Sequence, residues 1–107
     1  MAKISVKDHA KFSPERMARI GLATTERLQL DLYCLAPGQS QKAHTHADLD
    51  KVYYVLEGRG RFTLAGREEE LTAGDAIVAP SGAEHGLVND GTAALMVLVV
   101  VTPPPSH

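Results

Sequence analysis

Three histidines are the side chains whose type and spacing could carry chemistry in this chain. His44 and His46 stand two positions apart in a polar segment, and His85 follows much later. Side chains at positions i and i+2 of a strand point to the same face, so the first pair can aim two imidazoles at one point. If the fold brings His85 to that point, the three form a metal site. Imidazole suits divalent transition metals, so we expect iron, manganese, nickel or zinc as the cofactor.

Glycines and a proline punctuate the sequence around these histidines. Gly38 opens a first segment, 38–58, which holds the first two histidines and closes at Gly58. A second segment, 74–89, carries in order Gly74, Pro80, Gly82, His85 and Asn89. Together the two segments resemble the paired signature motifs of the cupin superfamily, in particular its small single-domain members. The resemblance implies a small jelly-roll β-barrel in which the three histidines hold a metal.

One position departs from the cupin pattern. Where the family usually has a glutamate, before the closing Gly58, this chain has Lys51. The resemblance implies that the glutamate is a fourth protein ligand in the family, so the ligand set here is open. If the strand runs unbroken from His44, Asp50 points inward and could supply the carboxylate, whereas Lys51 points away. If a bulge shifts the phase, Lys51 points inward and Asp50 outward, and the fixed distance to Gly58 favours this second geometry.

Two further side chains are candidates for catalysis. An ammonium beside a metal is repelled by the cation, but it can hold a substrate carboxylate or enolate, which makes Lys51 the first candidate. The alternative for Lys51 is a surface position paired with Asp48 or Asp50. Tyr53 is the second candidate, because an inward-facing tyrosine could reach the pocket with its hydroxyl. The alternative for Tyr53 is a core residue without a chemical role.

The elements that must position these residues are predicted to be short strands. Residues 28–34 alternate apolar and polar side chains, as a half-buried strand does. Residues 51–57 and 61–65 flank a glycine turn and are predicted to form a hairpin. Residues 76–79 and the valine-rich run 95–101 add two buried strands. Many short strands at close spacing predict an all-β fold, closed or sandwich-like, and the cupin resemblance narrows it to a jelly-roll barrel.

Length and composition bound the remaining questions. The 107 residues predict one domain, 1–107, with an extended tail at 103–107. Eleven basic and thirteen acidic residues give a net charge of −2, which argues against a nucleic-acid partner. Neither an apolar span nor an apolar signal region is evident, so no membrane association is expected. The single cysteine, Cys34, cannot form an internal disulfide, and we expect a cytoplasmic protein.

The sequence supports two classes of function. The first is a small metalloenzyme, dioxygenase- or isomerase-like, or a metal-dependent binder, acting on a small oxygen-rich molecule through the three histidines. The alternative is a non-catalytic module that senses a small ligand or a metal, which the missing glutamate favours. We also expect a homodimer, because a barrel of this size leaves sheet edges that need cover.

Overall fold

The computed structural model describes residues 3–105, and in this part of the chain a short 3₁₀ helix (Val6–His9) precedes nine β-strands. The strands, in chain order, are β1 (Ala18–Thr24), β2 (Gln29–Leu35), β3 (Ser40–His44), β4 (Asp50–Glu57), β5 (Arg59–Leu64), β6 (Arg67–Thr72), β7 (Ala76–Ala79), β8 (His85–Val88) and β9 (Leu95–Thr102). Among the described residues, no helix is long and apolar enough to cross a lipid bilayer. The predicted extended tail is described only as far as Pro105, and its last two residues lie outside the described part.

The strands form two antiparallel sheets that enclose the core. The five-stranded sheet has the order β1-β2-β9-β4-β7, and the four-stranded sheet has the order β3-β8-β5-β6. Inward-facing side chains of both sheets make the main apolar cluster: Tyr33, Leu35, Leu49, Tyr53, Val55, Phe62, Leu71, Ala79, Leu87, Leu95, Val97, Val99 and Val101. The predicted all-β cupin-like fold is confirmed. The two sheets face each other as a jelly roll, and they are not closed into one continuous barrel.

The predicted hairpin around Gly58 is wrong. Strand β4 pairs with β7 and β9, whereas β5 pairs with β6 and β8, so the chain changes sheets at this glycine. Gly58 has φ +81°, and a Cβ there would stand 2.2 Å from the carbonyl oxygen of Ala94. A side chain fits neither the backbone conformation nor the space. The glycine therefore makes a corner between sheets, which local sequence does not distinguish from a hairpin turn.

The structure has two strands between His44 and 51–57 where both geometries considered above assume one, although Lys51 points inward as the favoured geometry expects. Strand β3 ends at His44 in the four-stranded sheet, and β4 begins at Asp50 in the five-stranded sheet. His46 therefore lies on the connection between the sheets, where its carbonyl oxygen accepts a hydrogen bond from the N–H of Gly82 at 2.6 Å. The buried Leu49 ends the connection inside the core. Because the chain crosses from one sheet to the other here, the alternation of inward and outward side chains in β3 does not continue into β4. Neither an unbroken strand nor a bulged strand describes this connection.

Candidate metal centre

The three histidines converge on one point between the sheets. Each histidine offers one ring nitrogen as a ligand atom, and these three nitrogens all lie within 4.8 Å of one another. The ring centroids are 4.4 Å apart for His44 and His85, 4.7 Å for His44 and His46, and 5.6 Å for His46 and His85. His85 begins β8 directly opposite His44 at the end of β3. Three neutral nitrogens at this spacing form a donor set suited to a divalent transition metal.

A β-bulge in β3 directs His44 into the site. Gln41 pairs with Leu87 and His44 pairs with His85, so β3 has one residue more than β8 between these pairs. In a regular strand, side chains three positions apart point to opposite faces, but the extra residue turns both Gln41 and His44 inward. Across the bulge, a Cβ at Gly86 would lie 2.8 Å from the backbone of Ala43. Glycine at this position therefore permits the close approach of the two strands.

Backbone carbonyls orient two of the imidazoles. The Nδ1 atom of His85 lies 2.9 Å from the carbonyl oxygen of Ala83, and the Nδ1 atom of His44 lies 2.8 Å from that of Lys42. Each Nδ1–H donates to its carbonyl, which leaves the Nε2 lone pair free for a ligand bond. The Nε2 atom of His85 is buried and has no hydrogen-bond partner among the residues that the structure describes. A bound metal would accept the lone pair of this Nε2 atom, so the residues present fit a metal ion.

The surroundings of His46 and His85 favour the neutral form of their rings. Burial lowers the pKa of His85, and the hydrogen bond to the carbonyl of Ala83 opposes this shift in part. Burial also lowers the pKa of His46, and the positive charge of Lys51 adds to the effect. Metals bind the unprotonated ring, so a depressed pKa reduces competition from protons.

Lys51 faces the interior of the protein. It is 5% exposed, and its Nζ lies 3.5 Å from the hydroxyl oxygen of Tyr33 and 5.9 Å from the ring centroid of Tyr53. Burial lowers the pKa of Lys51 to about 8, and the charge of Arg19 contributes in the same direction. The structure thus places an ammonium, not a carboxylate, at the position of the family's glutamate. The alternative of a surface lysine paired with an aspartate does not hold.

Asp50 and Tyr53, the other two candidates, are not free to act directly on a metal. Asp50 is exposed, lies outside the histidine cluster, and accepts a hydrogen bond from the N–H of Ser81 at 2.8 Å. Tyr53 is 1% exposed, and its ring centroid lies 6.0 Å from that of His85. Its hydroxyl donates to Oε1 of Gln41 at 2.8 Å. Burial raises the pKa of Tyr53, so the phenol keeps the proton that it donates.

A cavity of about 860 Å³ adjoins the histidines. His44, His46 and Lys51 share its wall with residues that sequence reasoning missed, among them Gln41, Arg19 and Asp31. Besides the histidines, its charged lining consists of four cations and one carboxylate: Arg16, Arg19, Lys42, Lys51 and Asp31. The carboxylate of Asp31 accepts the side-chain amide of Gln29 at 2.9 and 3.1 Å. The charged lining of the cavity is therefore mainly cationic.

Comparison with known sequences identifies related proteins. A family model described as a cupin domain matches residues 31–101. An uncharacterised protein of Methanocaldococcus jannaschii is 37% identical over 70 residues, which cover 65% of this chain and 56% of that protein. A Thermotoga maritima protein named as an oxalate-binding protein is 36% identical over 67 residues, which cover 63% of this chain and 55% of that protein. The chain thus spans little more than half the length of these two curated relatives.

Solved structures share the fold closely. A Thermus thermophilus protein superimposes with a TM-score of 0.95 and 43% identity, over 98% of this chain and 100% of the other. A Thermotoga maritima protein described as a predicted oxalate decarboxylase gives a TM-score of 0.74 and 26% identity, over 81% of this chain and 91% of the other. Both superpositions cover at least four fifths of this chain, so the similarity extends over both sheets.

Proposed function

Because the chain belongs to the cupin superfamily, we propose that its three histidines bind a divalent transition metal and that a small carboxylate-bearing molecule binds beside it. The observation that carries the proposal is the histidine cluster at a cavity whose charged lining is mainly cationic. The metal is iron, manganese, nickel or zinc. When bound, it supplies a Lewis acid that polarises a carboxyl or carbonyl oxygen of the ligand.

The replacement of the family's glutamate by Lys51 changes which ligand charge the metal site favours. Three neutral imidazoles leave the charge of a divalent cation uncompensated, and Lys51 adds a further positive charge. An anionic ligand neutralises both, so ligand and metal should bind with positive coupling. The ammonium of Lys51 can hold a carboxylate or stabilise an enolate next to the histidines. The protein therefore depends on its ligand for a negative charge that family members with the glutamate supply themselves.

The comparisons support a small carboxylate as the ligand. One relative is named for binding oxalate, and one structural neighbour is described as a predicted oxalate decarboxylase. Oxalate places two carboxylates within reach of one metal and one ammonium, so it is the first probe to use. Metal-dependent binding of such a molecule is the function that the site supports best.

A second candidate is catalysis on an oxygen-rich substrate, dioxygenase- or isomerase-like. The burial of Lys51 favours it, because a lysine whose pKa falls to about 8 can take up or release a proton near neutral pH. Turnover of oxalate or of small diketones by the metal-loaded protein, and its loss in Lys51→Met, would distinguish an enzyme from a binder.

The test begins with protein purified without a metal-affinity tag and analysed for its metal content. Zinc affinity is then measured by competition with a chromogenic chelator for the wild type, His44→Ala, His85→Ala and the control His9→Ala. His9 is exposed on the 3₁₀ helix, so its removal should leave zinc affinity within about twofold. Loss of one ligand should weaken zinc binding by about a hundredfold or more. Equal affinities for His85→Ala and His9→Ala would rule out the site.

A further inference from the structure

Gln41 combines deep burial with an unused hydrogen-bond donor. Its side chain is 5% exposed, lines the same cavity as His44 and Lys51, and has an Nε2 atom that makes no hydrogen bond within residues 3–105. A buried amide N–H without an acceptor is destabilising, because water satisfies it in the unfolded chain. Gln41 thus retains a donor that the described part of the chain does not use.

The other end of the same amide is fixed. Oε1 of Gln41 accepts the hydroxyl proton of Tyr53 at 2.8 Å, and Tyr53 is itself buried among core residues. Because the bulge in β3 turns Gln41 and His44 to the same side, the amide is held on the wall that also carries the metal ligand. Tyr53 therefore anchors Gln41 in one orientation, with the Nε2 atom as its free end.

A second unused donor lies across the cavity. The Nζ atom of Lys51 makes only one hydrogen bond among the described residues, a long one of 3.5 Å to Tyr33. Asp31, the one carboxylate that the described residues place in the cavity wall, already accepts hydrogen bonds from Gln29. The cavity wall thus offers two hydrogen-bond donors, the amide of Gln41 and the ammonium of Lys51. A molecule that binds in the cavity would supply the acceptors.

We propose that Gln41 determines ligand specificity by donating its Nε2–H to a carboxylate or carbonyl oxygen of the molecule bound between the histidines and Lys51. This inference rests on the proposed function. Gln41 requires an acceptor at a fixed place, whereas Lys51 requires a negative charge, so together they select a molecule that presents two oxygens. Tyr53 is the positioning residue, because its hydroxyl donates its hydrogen bond to the amide of Gln41 and not to the ligand.

Two substitutions separate the donor from the rest of the side chain. Gln41→Glu keeps the shape and the acceptor for Tyr53 but loses the N–H donor and adds a negative charge. Gln41→Leu removes the donor without adding charge. Ala73→Asp is the control for the added charge, because Ala73 is exposed in the turn before β7 and does not line the cavity. Thermal unfolding followed by circular dichroism verifies that each variant is folded.

Zinc affinity is measured first, and oxalate binding to the zinc-loaded proteins is then measured by titration calorimetry. Gln41→Leu should keep zinc affinity within about threefold and weaken oxalate binding by about tenfold, the effect of one buried hydrogen bond. Gln41→Glu should weaken oxalate binding further, and Ala73→Asp should change it by less than about threefold. Oxalate affinities of both Gln41 variants equal to the wild type, with zinc binding intact, would overturn the role of Gln41 alone. A zinc-loaded wild type that does not bind oxalate would overturn the proposed function as well.

A double-mutant cycle tests the positioning role of Tyr53. Tyr53→Phe should weaken oxalate binding by about threefold to tenfold, because the amide loses its anchor. In the background of Gln41→Leu, the same substitution should have no further effect on oxalate affinity. Additive losses would show that Tyr53 acts on binding through a different route and would overturn this part of the proposal.

Discussion

At the scale of single residues, position 51 decides the electrostatics of the site. The spacing of glycines and histidines is sufficient to predict that the three histidines converge and to single out Lys51, because both depend on local motif positions. It does not predict that Gln41 and Arg19 line the cavity beside the histidines. Gln41 faces inward only because of a bulge, and Arg19 reaches the cavity from a strand near the beginning of the chain. Such contacts depend on tertiary pairing, which the motif does not encode.

Restoring the family's carboxylate should strengthen metal binding. Lys51→Glu removes a buried positive charge and places a carboxylate on the wall that carries His44 and His46. One charge-assisted contact contributes about 1.5–3 kcal/mol, or roughly tenfold to a hundredfold in zinc affinity. Asp50→Ala, the matched acidic position next to it, should change zinc affinity little, because Asp50 faces solvent. A large loss in Asp50→Ala with no gain in Lys51→Glu would contradict the geometry described here. Chelator competition measures both.

The buried ammonium should also make stability depend on pH. The pKa of Lys51 is about 8 in the folded protein, below the value of 10.5 expected for the unfolded chain. Below pH 8 both states are protonated and the folded state bears the full penalty of burying the charge. Between pH 8 and 10.5 the unfolded state binds more protons, so this penalty is relieved as the pH rises.

The comparison that isolates this effect is Lys51→Met in metal-free protein. The variant should unfold at a higher temperature than the wild type at pH 7, and the difference should shrink towards pH 10. Lys42→Met, at an exposed position of β3, is the control and should show no such trend. The measurement is the unfolding temperature from circular dichroism at several pH values. If the wild type and Lys51→Met differed by the same amount at every pH, the predicted penalty for burying the Lys51 ammonium would be contradicted.

At the scale of elements, alternation of apolar side chains predicted most strands but not their partners. Residues 28–34, 76–79 and 95–101 do lie in strands β2, β7 and β9, apart from Leu28 just before β2. Strand β1 was not predicted, because a segment this short with one glycine fits a helical turn equally well. The corner at Gly58 was mistaken for a hairpin, since the same glycine conformation serves both and only long-range contacts select the sheet.

The contact between the β3 bulge and β8 gives a prediction for Gly86. Gly86→Ala would place a methyl group 2.8 Å from the backbone of Ala43, and the strands must separate to accommodate it. We expect a loss of about 1–3 kcal/mol in the free energy of unfolding, measured with urea. Because His44 belongs to the same bulged strand, zinc affinity should fall too. Gly21→Ala is the control, since the nearest atom to its Cβ would lie 3.9 Å away. Equal stability of the two variants would refute the role of the close approach.

At the scale of the whole molecule, the outer face of the five-stranded sheet is free of charge over most of its area. The register of β1, β2, β9, β4 and β7 places a set of apolar side chains on this face: Ile20, Leu30, Leu32, Cys34, Met96, Leu98, Val100, Val52, Tyr54, Ala76 and Val78. Glu57, which pairs with Met96, adds a charge at one end of the set and forms an ion pair with Lys7. The N-terminal segment covers one part, where Val6 and Ala10 pack near Leu32, Cys34 and Met96. The rest stays accessible, and Tyr54 and Val78 are 40% and 57% exposed.

This accessible face is where we place the expected homodimer. A mainly apolar surface offers little complementarity to a charged partner, whereas a second copy brings an equally apolar surface and can pair with it about a two-fold axis. Strand β9 lies in the middle of the sheet, so it contributes to this face through outward side chains and not through an edge. Val78→Lys should therefore shift the mass measured by light scattering from about twice 11.5 kDa to the monomer value. Ala73→Lys, an exposed position in the turn before β7, should leave the dimer intact. A wild type that remains monomeric across micromolar concentrations would contradict the prediction, as would a dimer that Val78→Lys does not weaken.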